Sequence, residues 1–485
     1  MNFVSYVAQR TSAFTDAISK TERKRYGQFF TSASIAEFMA SKFNIDPRRP
    51  VYRILDAGAG AGILSAAVVE RFRQLNYAGK LELTCYETDK NILPLLHQNL
   101  KEISAHINLA YRIVEANYIT SQMWPISNPE YDLIIGNPPY KKISKDADEA
   151  KYMHEVCYGA PNLYFLFWAM AVHNLKKDGE LIYIVPRSWT SGAYFEKFRE
   201  FLFANCTISD IHLFESRDKI FDGESVLQET MIIKVAKSVQ KRAYIRMSRS
   251  STSDFADLAE LDVDYNVVVT PEKCVFPVFS QEDLNILETI NTQKNTLPSN
   301  KLPMRTGLIV DFRTWNDLRD HAENDYTYPL FYSQNIKNGR IIWPTGGKKP
   351  EYICTNRKGY LQENTNYLFI KRFTSKEENR RLQCGVYLST DFPNYKYIST
   401  QNKLNYIKCP TPDEAFGLYV IFNSTLYDKY YRILNGSTQV NSTEINRMPV
   451  PPKNTIIAMG KEIQGLSLSE ENCNKILKKW IKKTS

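Results

Sequence analysis

Asp56-Ala57-Gly58-Ala59-Gly60-Ala61-Gly62 separates a short apolar strand, Tyr52 to Leu55, from a helix over about Ile63–Phe72. Few folds accept that order. A buried strand that turns on glycines straight into a helix sends the chain back over one face of a sheet, and the next strand then lies parallel to the first. The pattern repeats. Leu81–Tyr86 reads as a strand, Ile92–Leu100 as a helix, and Tyr111–Val114 and Tyr131–Ile135 as two more strands. Asn162–Leu175 reads as a helix stopped by Lys177-Asp178-Gly179. Strand Leu181–Val185, helix Ala193–Phe203 and strands Ile208–Phe214 and Gln228–Val235 follow. Upstream, Ser34-Ile35-Ala36-Glu37 has the form of a capping box opening a helix to about Phe43. These patterns predict an α/β domain with a parallel sheet covered on both faces. In such sheets ligands sit at the carboxyl ends of strands.

The candidate residues follow strands. Gly58 and Gly60 remove side-chain bulk, so a ligand can approach the loop backbone. Their spacing is not the dinucleotide fingerprint, and no Gly-Lys-Ser/Thr completes a phosphate loop. With Asp56 at its entry, the loop suits a nucleoside without a pyrophosphate; a plain strand–helix turn would read the same. Glu87 ends the next strand, where a carboxylate can accept the hydroxyls of a ribose. Asp89 competes with it and also suits a helix cap. Asn117, after the strand ending at Val114, carries an amide that could read an adenine edge.

Tyr131-Asp132-Leu133-Ile134-Ile135-Gly136-Asn137-Pro138-Pro139-Tyr140 is more specific. Two prolines fix their own φ and hold the residue before each extended. The turn thus keeps the Asn137 side chain and the Pro138 carbonyl in a set relation. Two such acceptors can take both protons of a planar amine, which frees the nitrogen lone pair for attack. Tyr140 would stack on the ring that carries the amine.

The second half has short Tyr/Ile/Val stretches broken by Pro, Gly and Asn, a mixed, loop-rich pattern, and Asn474–Lys483 reads as a basic helix. The net charge of +9 is unevenly placed: +3 over residues 1–245, −6 over 246–330 and +12 over 331–485. A basic C-terminal module suits a polyanion. The 8 Cys include no CxxC pair and the 6 His form no ligand-like cluster, so no metal site is expected. The longest apolar run, Leu163 to Val172, is half of a membrane span, and Met1 to Tyr6 has no leader-like pattern. No membrane partner and a cytoplasmic location are expected.

On these motifs the chain resembles the type II restriction–modification DNA adenine-N6 methyltransferases, in the gamma group, whose cofactor motifs precede Asn-Pro-Pro-Tyr and whose recognition domain comes last. The resemblance implies a Rossmann-like class I methyltransferase sheet with a C-terminal mixed α/β target-recognition domain. It implies a catalytic domain over residues 1–245, a connection over 246–300, target recognition over 301–455 and a basic helix over 456–485. S-adenosylmethionine is the implied cofactor. Double-stranded DNA is the implied substrate, and a cognate restriction endonuclease, acting separately, the further implied partner. Asn137, Pro138, Pro139 and Tyr140 match the catalytic motif. Tyr26, Phe29, Phe30 and Thr31 match the N-terminal cofactor segment, and Asp56, Gly58, Gly60 and Glu87 the cofactor motifs. The family usually has Asp where Asn117 stands. Phe221 falls where some relatives place an aromatic against the flipped base. Lys371, Arg372, Lys376, Arg380 and Arg381 are the candidate DNA contacts. Methylation of RNA or of protein glutamine, and a non-catalytic DNA-binding subunit, are the alternative readings.

Overall fold

The structure is a computed structural model that describes residues 1–16, 31–124, 129–215, 229–375 and 377–484. It divides between Phe279 and Ser280 into two compact units.

The first unit is built on a sheet of nine described strands: β1 (Val51–Ala57), β2 (Lys80–Tyr86), β3 (Leu109–Val114), β4 (Tyr131–Gly136), β5 (Leu175–Pro186), β6 (Thr207–Phe214), β7 (Thr230–Ala236), β8 (Tyr244–Ser250) and β9 (Ala259–Asp264). Their order is β3-β2-β1-β4-β5-β7-β6-β8-β9. β1 pairs in parallel with β2 on one side and β4 on the other. The chain therefore winds outward in one direction through β3 and restarts at β4 in the other. The crevice at such a switch point is where open α/β sheets bind ligands.

The sheet departs from the all-parallel expectation at β7, which runs antiparallel to both β5 and β6. β7 is buried along its whole length, and its mostly apolar residues carry no signal of strand direction. β8 and β9 extend the same sheet past β6, so the first unit reaches residue 279 rather than ending near 245.

Helices α1 (Phe3–Asp16) and α2 (Ala33–Ser41) pack on α3 (Ile63–Gln74). Ser32, not Ser34, caps α2: its hydroxyl accepts the Ile35 N–H at 3.4 Å, and Ser34 already lies inside the helix. α4 (Leu93–Ser104) follows β2. α5 (Leu163–Asn174) is capped by Asn162, whose Oδ1 accepts the Tyr164 N–H. It ends before Lys177-Asp178-Gly179, which lies within β5, where the pairing of β4 shifts register from Leu175 to Glu180. Asp178 there takes a φ of 63°, so the turn signal was real but belongs to a bulge.

The second unit holds a six-stranded sheet, with Asn366–Lys371 at its centre between Leu404–Cys409 and Cys384–Tyr387, and a five-stranded sheet around Thr327–Phe331. Its aromatics are largely core: Phe331, Tyr367, Phe369, Tyr387 and Phe392 form one cluster, with Tyr387 and Phe392 stacked at 4.9 Å. α6 (Pro412–Phe422) crosses α7 (Lys453–Gln464) where Gly417 faces Ile456 and Gly460 faces Asp413; a Cβ at either glycine would overlap the facing carbonyl. The chain ends on α8 (Glu470–Thr484), longer than the expected basic helix, with Cys473, Ile476, Leu477 and Ile481 as its buried stripe. Among the described residues no helix is long and apolar enough to cross a membrane, and no group of side chains could hold a metal.

Candidate active site

A cavity of about 350 Å³ opens along the carboxyl edges of β3, β2, β1 and β4. Its wall includes Thr31, Gly58, Gly60, Glu87, Asn117 and the Asn137-Pro138-Pro139 turn. The switch point thus brings together the glycine loop, Glu87 and the double-proline turn, and it joins Asn137 to Thr31 across 106 residues.

The glycine loop is held from beneath. Gly58 and Ala59 donate to the Tyr86 carbonyl at 2.8 and 3.0 Å, tying the loop to the end of β2. Gly60 donates to Glu87 Oε2 at 2.8 Å, and Glu87 Oε1 accepts Thr88 N–H and Asp89 N–H at 2.7 and 2.9 Å. Gly58, Gly60 and Gly62 all have positive φ, which a side chain would strain. Three of the roughly four acceptor positions of the Glu87 carboxylate are taken by backbone, leaving about one for a ligand. Asp89 lines the cavity too, while its Oδ1 accepts the Asn91 N–H at the turn into α4.

Asp56 lies under the loop rather than on the cavity wall. It is fully buried, and its Oδ2 accepts from the backbone and hydroxyl of Ser65 at 3.2 and 2.7 Å. Burial pushes its carboxyl up to about 7, against the pull of the Ser65 bonds and with help from the Glu87 charge. Asp56 therefore pins α3 to β1.

Asn137 leaves β4 after Gly136, where a Cβ would come 2.6 Å from the Tyr183 ring. Its Nδ2 donates to Thr31 Oγ1 at 3.1 Å. Thr31 thus touches both the cavity and the amide of the clamp. Tyr140 is not on the cavity wall. Its hydroxyl donates to the Ile184 carbonyl of β5 at 2.9 Å, its ring meets Tyr164 edge-on at 6.2 Å, and burial pushes its phenol up. Asn117 is on the wall, but its Oδ1 accepts Ile119 N–H and Thr120 N–H, and its Nδ2 donates to Glu149. Tyr26, Phe29, Phe30 and Phe221 lie outside the described residues.

Sequence reasoning missed Thr11, Lys141, Glu149 and Phe167, which also line the wall. Leu163 and Phe167 are one helical turn apart on one face of α5, a spacing that could have paired them. Lys141 and Glu149 carry no local signal beyond following the double proline.

In the second unit the basic cluster separates. Arg381 is fully buried and donates to Thr374 Oγ1, Asn435 Oδ1 and the Ser437 carbonyl. Arg380 pairs with Glu470 at 2.8 Å and donates to the Phe422 and Ser424 carbonyls. Both guanidiniums tie the unit together. That corrects the reading of Arg381 as a DNA contact, since a fully buried guanidinium does not reach a phosphate, while Arg380 stays partly exposed. Lys371 and Arg372 remain partly exposed and bond to neutral groups, Gln383, the Asn402 carbonyl and Gln439. Lys376 lies outside the described residues.

The donor set of the cavity fits S-adenosylmethionine. Glycine backbone lines one wall, Glu87 keeps an acceptor position at the end of β2, and Leu163 and Phe167 give an apolar surface. Glu87, Asp89 and Glu149 outnumber Lys141, which favours a cationic ligand over a phosphate.

Comparison with known proteins agrees. The Eco57I restriction-modification methylase family matches residues 64–221. The type II methyltransferase M.BsuBI of Bacillus subtilis is 34% identical over 457 residues, covering 90% of each chain. M.PstI of Providencia stuartii is 31% identical over 471 residues, covering 93% of this chain and 92% of that one. Among solved structures, a nuclease-deletion mutant of the type ISP restriction-modification enzyme LlaGI, in complex with a DNA substrate mimic, aligns at a TM-score of 0.55 and 12% identity. That alignment covers 91% of this chain and 47% of the larger one, and it shows a shared fold. With the glycine loop, Glu87 and the Asn137-Pro138-Pro139 turn gathered at one switch point and identity of 34% sustained over nine-tenths of both sequences, the chain belongs to the S-adenosylmethionine-dependent type II DNA methyltransferases of restriction–modification systems.

Proposed function

We propose that the chain methylates the exocyclic N6 of adenine in double-stranded DNA. The observation that carries this reading is the placement of Asn137 and Pro138 on the same cavity wall as Gly58, Gly60 and Glu87. S-adenosylmethionine, when bound, supplies the methyl group as an electrophile. The chain supplies position. Asn137 Oδ1 and the Pro138 carbonyl accept the two protons of the amine, draw its nitrogen toward pyramidal geometry and free its lone pair. The nitrogen gains the methyl carbon as that carbon's bond to sulfur breaks, the thioether S-adenosylhomocysteine leaves and one amine proton passes to solvent; because the displacement is direct, no enzyme nucleophile takes part. Catalysis is then alignment and electrostatic placement.

A base inside a duplex cannot reach this wall, so the target is flipped out of the stack at a cost of a few kcal/mol. Tyr140 lies off the cavity wall but stays half-buried beside the turn with its hydroxyl on Ile184, and a flipped base stacked on its ring would gain ~1–3 kcal/mol. In the second unit, Phe312 and Trp315 are 79% and 70% exposed, unusual for such rings, and Phe373 stands exposed beside Arg372. Exposed rings beside Arg313 and Arg372 suit a nucleic-acid surface. A cognate restriction endonuclease, acting separately, would cut the sites this chain protects.

The test uses unmethylated plasmid and cofactor labelled in the methyl group, followed by digestion to nucleosides. Label in N6-methyldeoxyadenosine is expected. Label in a methylated cytosine, or none, overturns the reading.

A further inference from the structure

We propose that Glu149 recognises the base of the cofactor by accepting a hydrogen bond from its 6-amino group. The inference rests on the cofactor reading above and names the residue that selects adenine. The strand order sets the frame. The cavity runs from Asn137 at β4, past the glycine loop of β1 and Glu87 of β2, to Asn117 beyond β3. With the methyl end at Asn137 and the ribose at Glu87, the base falls at the Asn117 end.

An exocyclic amine there needs an acceptor, and Asn117 does not offer one. Its Oδ1 already accepts Ile119 N–H at 3.0 Å and Thr120 N–H at 3.2 Å, which uses both lone pairs. What Asn117 turns to its surroundings is its NH₂, and one of those protons goes to Glu149 Oε1 at 2.8 Å. Glu87 is committed to three backbone donors. Glu149 is on the same wall, half-buried, at the start of the short helix Asp148–Tyr152 that follows the double-proline turn. Asn117 holds one of its oxygens in place, and the other accepts no hydrogen bond from any described residue. The pair works as a unit: the amide positions the carboxylate, and the carboxylate reads the amine.

Calorimetric binding of two probes tests this without turnover: S-adenosylhomocysteine and S-inosylhomocysteine, in which a 6-oxo group replaces the amine. The wild type is expected to favour the adenosyl probe by roughly ten- to hundredfold, the range of a hydrogen bond to a charged group. Glu149→Gln, whose amide can donate to a 6-oxo group, should lose about tenfold on the adenosyl probe and narrow or reverse the preference. Glu149→Ala should weaken the adenosyl probe and leave the inosyl probe unchanged. Equal binding of both probes by the wild type overturns the proposal without any variant. So does an unchanged preference in Glu149→Gln. Failure of the wild type to bind either probe overturns the cofactor reading itself, and this inference with it.

Discussion

Thr31 carries the only bond among those described that joins the segment before α2 to the double-proline turn. It accepts from Asn137 Nδ2 and so fixes the amide that the proposed mechanism uses. Thr31→Val keeps the shape and removes the acceptor. Turnover is expected to fall about tenfold, the worth of one such bond, while Thr31→Ser restores it. A matching loss in S-adenosylhomocysteine affinity would instead make Thr31 a simple ligand contact. Asp56 makes a different prediction. Its carboxyl moves from 3.8 unfolded to about 7 folded, so between those values the folded state holds a proton that the unfolded state has lost. The resulting stability is complete below about pH 4 and lost as pH rises to about 7, a change of order 4 kcal/mol. Urea midpoints of the ligand-free protein should show this decline in the wild type and a flatter profile in Asp56→Asn; parallel profiles would contradict the burial argument.

At the scale of elements, the strands and turns of the first unit were legible because their signals are local. Glycines mark the β1–α3 turn, an acid ends β2, and prolines stop β4. What was illegible depends on which strands become neighbours. The Asn137–Thr31 and Asn117–Glu149 bonds span 106 and 32 residues, and nothing in either segment points to the other. The direction of β7 was hidden because a fully buried, mostly apolar strand reads the same either way, and the second unit uses strands as short as two residues, too short for periodicity. The basic run at residues 371–381 looked like one surface, yet Arg381 turns inward because Thr374, Asn435 and Ser437 satisfy it there. Close helix contact was equally hidden. Gly417→Ala or Gly460→Ala should destabilise the α6–α7 pair by about 3 kcal/mol, because each new methyl meets rigid backbone rather than a movable side chain. A urea midpoint within error of the wild type would show that the two helices separate freely.

The whole molecule divides its charge as it divides its chain. Residues 331–485 carry net +12, and they fall within the second unit. A chain ending at Phe279 retains every residue of the cavity wall. It is expected to bind S-adenosylhomocysteine and to lose affinity for duplex DNA. Retention of tight, site-selective DNA binding by that fragment would place recognition in the first unit.

The central claim is that Asn137 clamps the amine that receives the methyl group. The most direct measurement is single-turnover methylation of plasmid DNA by Asn137→Ala, with S-adenosylhomocysteine affinity measured on the same protein. The expected result is a rate lowered by roughly 10²–10³, as when one preorganised hydrogen-bonding group is removed, with affinity unchanged. An undiminished rate would contradict the account.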